Sequence, residues 1–238
     1  MIIDCHNHIG VDKNGFNQRQ SAVELKRKMK RYGIDKAVVF PFDENNLIAS
    51  SMKLSKLRSD SIIPFLRFDP NNTSPKKLRE LLKGDAFSGV KLHTRAQDFD
   101  PLDSAFYPLY KEISESGKPL IIHTRMETCK NSRPEHVMLL GEKFPEMKLI
   151  LAHFAGISTE AFDYVKQHEN MYVDTSALST DYLIGAIVGR VGSRKLVFGS
   201  DSPLSDPEIE LMKVKKAKLS NLDRERILFG NMNRLLDY

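Results

Sequence analysis

The chain has 238 residues, 41% of them hydrophobic, which is enough for one sizeable core, and strand-helix barrels of about 250 residues commonly form a single domain. A formal charge of +5 and a pI near 9.1 raise nucleic acid as a partner, but the basic excess sits on amphipathic segments such as residues 24–31 with no interleaved aromatic rings, which argues against a stacking platform. No apolar run approaches the roughly 20 residues of a membrane span, the start carries no signal-peptide pattern, and two cysteines, Cys5 and Cys129, are too few for a disulfide scaffold, so the expectation is a soluble cytoplasmic protein engaging neither nucleic acid nor membrane.

The first strand reads as about residues 2–6, followed by a loop to Arg19. Ser21 and Glu24 form a capping-box pattern for a helix that Gly33 ends. Lys36 to Phe40 is the second strand, 46–58 its helix, and 62–67 the third strand, with Pro64 weakening its middle. Ser74-Pro75 opens a helix that stops at Gly84, and 88–93 is the fourth strand. The rhythm continues with helix 103–116, strand 119–123, helix 134–144, strand 148–153, helix 159–168, strand 171–174, helix 181–190, strand 195–199 and helix 207–218. Residues 222–229, stopped by Gly230, and 231–236 add C-terminal helical cover. Short spacings of this kind demand parallel, helix-crossed connections. Eight such units predict an α/β fold, a single (β/α)8 TIM barrel over residues 1–238, with a doubly wound sheet as the alternative.

Polar residues close the apolar strands. In an extended strand His6 and His8 point the same way, with Asp4 one step below them and Cys5 on the opposite face. His123 follows Pro119-Leu-Ile-Ile122, His153 follows Leu149-Ile-Leu-Ala152, and Asp201 follows Leu196-Val-Phe-Gly-Ser200. Strands so uniformly apolar belong to parallel sheets buried on both faces, whose carboxyl ends converge on ligands. Neutral imidazole and carboxylate are good ligands for zinc and similar divalent ions. Any one of these histidines alone would more often be a satisfied polar residue; jointly, at four strand ends, they point to a metal.

The ordered set His6-x-His8, His123, His153 and Asp201 resembles the amidohydrolase superfamily. Gly89-Val-Lys-Leu-His93, Tyr172-Val-Asp174-Thr-Ser176, Phe198-Gly-Ser-Asp201-Ser-Pro203 and Phe229-Gly-Asn231 are similar to its aminocarboxymuconate semialdehyde decarboxylase-like branch. The resemblance implies a divalent ion, zinc ahead of manganese, held by His6, His8, His123 and Asp201, with His153 close enough to bind a second ion or to act on the substrate. It implies a catalytic Asp201, a carboxylate that can move a proton between water and leaving group, while the chemistry of His153 suits it to polarise a carbonyl or to stabilise developing negative charge. Lys91 shares strand parity with His93 and so faces inward. Some superfamily members carry a carbamylated lysine there, but this branch is usually mononuclear, so Lys91 is expected to be paired with a carboxylate.

His93 and the arginines after strands three, four and five, Arg67, Arg95 and Arg125, are expected to bind the substrate, guanidinium groups being suited to a carboxylate. His136 and His168 lie in helices and are expected at the surface. The expected activity is hydrolysis of a carboxamide, ester or lactone of a small anionic molecule, with decarboxylation of an aromatic or unsaturated carboxylate as the alternative. A basic nucleic-acid-binding or purely structural barrel is the third reading, and it leaves the convergent histidines unexplained. A homodimer is left open.

Overall fold

The computed structural model describes residues 1–12, 17–42, 46–125, 130–177 and 181–237; Cys129 lies outside the described residues. The strands are β1 (Ile3–Val11), β2 (Arg19–Gln20), β3 (Lys36–Pro41), β4 (Ile62–Pro64), β5 (Val90–Leu92), β6 (Leu120–Ile122), β7 (Leu149–Leu151), β8 (Met171–Asp174) and β9 (Leu196–Val197). β2 is a short antiparallel partner of the end of β1, pairing Gly10 with Gln20. The other eight pair in parallel, in the orders β1-β3-β4 and β5-β6-β7-β8-β9. Two seams join these sheets. At one, Leu66 N donates to Gly89 O (2.8 Å) and Lys91 N to Leu66 O (2.9 Å). At the other, Cys5 N donates to Phe198 O (2.8 Å), Asp201 N to His6 O (2.9 Å) and His8 N to Ser202 O (2.7 Å). The ring closes as the expected eight-stranded TIM barrel.

Period-two alternation divides the apolar residues between two cores. On β6, Ile121 packs with Ile3, Val38, Phe65, Ile150 and Val197 inside the barrel, whereas Leu120 and Ile122 belong to the larger shell shared with the surrounding helices. Met232, Leu235 and Leu236 join the inner cluster, so the C-terminal segment covers one end of the barrel. A Cβ at Gly89 would lie 2.3 Å from the Phe65 ring, so only glycine admits that ring to the interior.

The helices begin where their caps indicate. Ser21 and Glu24 make the reciprocal capping box before helix Ala22–Tyr32, and Gly33 ends it at φ 72°. Ser74 caps Pro75–Leu82. Asp206 caps Pro207–Lys216, two residues shorter than expected.

Three expectations need correction. The first strand runs on to Val11, because beyond His8 it still pairs with β3 and then gains β2. Gly230 does not stop the last helix: at φ −58° and ψ −40° it is helical, and a π-turn over Arg226–Gly230 leads into Asn231–Leu235. After β7 the chain makes a left-handed turn, with His153, Phe154, Ala155 and Gly156 at φ 57°, 50°, 48° and 61°. Among the described residues no helix is long and apolar enough to cross a membrane.

Candidate metal centre

β1 carries His6 and His8 to the barrel mouth, 0% and 5% exposed, with ring centroids 5.5 Å apart. His6 Nδ1 lies 2.7 Å from Asp174 Oδ2, at the end of β8. That pairing turns Nε2 into the cavity, 3.4 Å from Asp201 Oδ1. His8 Nε2 is 3.2 Å from the same oxygen, and its ring stacks on Phe42 at 4.6 Å.

Asp201 stands just past β9 at φ 60°, a conformation that Asp tolerates better than most residues. Asp4 holds this turn from below: its Oδ1 accepts from Ser200 N (2.9 Å) and His6 N (3.2 Å), and its Oδ2 accepts from Ser200 Oγ (2.6 Å). Gly199 lets the turn approach β1, since a Cβ there would lie 3.0 Å from that of His6.

The left-handed backbone after β7 points His153 inward, and its N–H donates to Asp174 Oδ1 at 2.9 Å. Its imidazole spans Ser176 Oγ (Nδ1, 2.9 Å) and His123 Nδ1 (Nε2, 3.1 Å). His123, at the end of β6, stacks face to face on His93, centroids 3.7 Å apart.

Burial lowers the histidines and keeps them neutral near pH 7. It takes His8 to about 4 and His153 to about 3, and drives His93 and His123 well below their ordinary value. Burial opposes ionisation of Asp174 as well, but the bonds it accepts from His6 Nδ1, His153 N and Ser176 hold its carboxyl below the usual range.

This donor set fits a divalent ion. His6, His153 and Asp201 each offer a ligand atom within 4.8 Å of the others. Asp201 Oδ1, His8 Nδ1 and His123 Nε2 are buried polar atoms without a hydrogen-bond partner. The 3.2 and 3.4 Å separations from Asp201 Oδ1 to the two imidazole nitrogens match the roughly 3.3 Å between ligands of a tetrahedral zinc.

All five expected metal and catalytic residues, His6, His8, His123, His153 and Asp201, line one cavity of about 380 Å³. His93, Arg95 and Arg125 line it too, together with Asp12 and Phe42. Arg67 is not among the lining residues. It is wholly buried, with Nη1 donating to Pro41 O at 2.9 Å and its backbone tied to Ser51. Lys91 does face inward, but its hydrogen-bond partner is His6 Nε2 at 3.2 Å rather than a carboxylate, and burial takes its amine down to about 8. His136 pairs with Asp100 at 3.5 Å and His168 stacks on Tyr164, both outside the cavity lining.

Asp4, Asp12, Asp174 and Ser176 were not assigned roles from the sequence. The available signal for Asp174 was its place at the end of the apolar run Met171-Tyr-Val, the same position that marked His123 and Asp201.

Comparison with known proteins gives the family and the fold. A family model described as Amidohydrolase matches residues 3–237. No curated protein matches the chain. Among solved structures, a TIM-barrel protein from Bordetella bronchiseptica superposes with a TM-score of 0.81 at 18% identity, over 99% of this chain and 98% of its own. A dihydroxybenzoic acid decarboxylase from Polaromonas sp. JS666, with bound manganese and the inhibitor 2-nitroresorcinol, gives 0.77 at 16% identity over 99% and 96%. A Pseudomonas putida protein assigned as a 2-pyrone-4,6-dicarboxylic acid hydrolase gives 0.76 at 15% identity over 99% and 97%.

Proposed function

The chain belongs to the amidohydrolase family of enzymes, and from that premise we propose that it is a metal-dependent hydrolase acting on a carboxamide, ester or lactone of a small anionic molecule. The observation that carries this reading is Asp201 Oδ1, buried and without a hydrogen-bond partner yet 3.2 and 3.4 Å from two imidazole nitrogens, at the floor of a cavity lined by Arg95 and Arg125. His6, His8, His123 and Asp201 would hold the ion, zinc or manganese. When bound, such an ion lowers the pKa of water toward 7.

The chain's own residues supply the rest. Asp201, held as a carboxylate, accepts a proton from attacking water and returns it to the leaving group. Arg95 and Arg125 fix the substrate carboxylate, and His153 lines the same cavity. The likeness to the manganese-bearing decarboxylase favours a second reading, in which the same groups hold an aromatic carboxylate and the proton is delivered to the ring carbon that loses CO2.

Protein purified without chelator should carry one tightly held divalent ion per chain, and the double variant His6→Ala, His8→Ala should carry none. Equal metal content in the two would refute the ligand set. A screen of lactones, amides and hydroxybenzoates in D2O then separates the reactions: hydrolysis releases an acid and no CO2, whereas decarboxylation releases CO2 and leaves deuterium on carbon.

A further inference from the structure

Asp174 is among the most heavily hydrogen-bonded side chains of the centre, and it is not one of the cavity-lining residues. Its Oδ2 faces His6 Nδ1 at 2.7 Å. Its Oδ1 accepts three bonds: from His153 N (2.9 Å), Ser176 N (3.0 Å) and Ser176 Oγ (2.6 Å). The side chain is fully buried, so no water competes for these contacts.

The direction of every proton follows from this one carboxylate, which can only accept. His6 must carry its proton on Nδ1, leaving the Nε2 lone pair toward the cavity, where it accepts from Lys91 Nζ at 3.2 Å, a donor that a metal would displace. Ser176 must spend its single proton on Asp174, because two unprotonated oxygens 2.6 Å apart would repel. Its Oγ is therefore the acceptor for His153 Nδ1, 2.9 Å away, and neutral His153 has a bare Nε2. The 3.1 Å contact from His153 Nε2 to His123 Nδ1 then requires the proton on His123 Nδ1. His123 Nε2 is left bare and buried without a hydrogen-bond partner. The His93 ring stacked at 3.7 Å holds the His123 plane.

We propose that Asp174 is a positioning residue that, directly and through Ser176, sets the tautomers of His6, His153 and His123, so that His6 Nε2 and His123 Nε2 both present lone pairs to a metal before any metal arrives. The chain assigns different duties to neighbouring histidines. His123 is a ligand, while His153 spends its Nε2 on His123 and serves as the link that orders it. The cost of choosing tautomers is thereby met in folding and not at metal binding. The inference rests on the metal-dependent reading above for its purpose, but not for its geometry.

Histidine-selective 15N labelling with long-range proton correlation reads the tautomer of each ring in metal-free protein, and competition with a chromophoric chelator measures zinc affinity. Wild type should show His6, His123 and His153 all protonated on Nδ1. Ser176→Ala should disturb His153 and His123 while leaving His6 as it was; Asp174→Asn should disturb all three. Zinc affinity should drop about 10–100-fold in Asp174→Asn. Nδ1 protonation that persists in Ser176→Ala, or a Ser176→Ala effect that reaches His6 equally, overturns the proposal, and this variant decides the question even if Asp174→Asn does not fold. Should the wild type show the three Nδ1 tautomers and yet take up no zinc, manganese or other divalent ion, the tautomer relay stands and the metal-dependent function falls.

Discussion

At the residue scale, the buried carboxylates have separable duties that single-atom substitutions test. Asp201→Asn keeps shape and one ligand oxygen but cannot accept a proton from water. Turnover per bound ion should fall at least ~10²-fold while the fold is retained, and near-wild-type turnover in metal-loaded Asp201→Asn would move the proton step to His153. The arginines divide similarly. Arg95→Ala and Arg125→Ala, on the cavity wall, should each weaken binding of a carboxylate ligand by roughly 1.5–3 kcal/mol, whereas Arg67→Ala, with its guanidinium on Pro41 O, should show mainly as lost stability. Equal ligand affinity in the two cavity variants would remove the anionic substrate from the proposal. These residues also mark what was legible in the sequence. His6, His8, His123, His153 and Asp201 could be found because each closes an apolar strand and strand ends converge. Arg67 could not be placed, because parity gives the face of a strand but not the depth of a long side chain after it. Asp174 went unassigned because its partner His6 is 168 positions away and no spacing links an orienting group to the ring it orients.

At the element scale, caps and apolar runs located the helices and strands, while backbone departures from regular structure did not show. The left-handed turn from His153 to Gly156 contains only one glycine, and what holds its first residue is a hydrogen bond from His153 N to Asp174, a contact made by tertiary folding. Gly230, read as a stop, remains helical because its neighbours Ile227, Leu228, Asn231 and Met232 are all buried and packing overrides its low propensity. Gly89 carries a different constraint. It lies beside β5 with the Phe65 ring where its Cβ would be, and Phe65 is wholly buried inside the barrel. Gly89→Ala should therefore lower stability by about 1–3 kcal/mol in urea unfolding, the usual cost of overpacking. Combining it with Phe65→Leu should recover part of the loss relative to the sum of the single effects. Strict additivity of the two changes would show that the clash had been relieved elsewhere.

At the scale of the whole molecule, the site and the barrel's closing seam are one structure. The hydrogen bonds that join β9 to β1 run through His6, His8 and Asp201, so the backbone that positions the proposed metal ligands also shuts the ring. Closing the ring there buries four imidazoles, His8, His93, His123 and His153, in their neutral form. An unfolded histidine titrates near 6.5, but folded His8 holds off protonation until about 4 and folded His153 until about 3. Between those limits the unfolded chain binds more protons at these imidazoles than the folded one; Asp4, which burial raises to about 7, works the other way over part of that range, but one carboxyl is set against four imidazoles, so the stability of metal-free protein falls as pH drops below about 6.5. Each such histidine contributes a slope of up to about 1.4 kcal/mol per pH unit. The urea midpoint of chelator-treated protein should accordingly fall steeply from pH 7 to 5. His93→Phe, which can keep an aromatic ring against His123, should reduce the slope by about one proton's worth. A midpoint unchanged across that range would mean that the imidazoles are charged in the folded state, and the neutral donor set that recommends this centre for a metal would not exist.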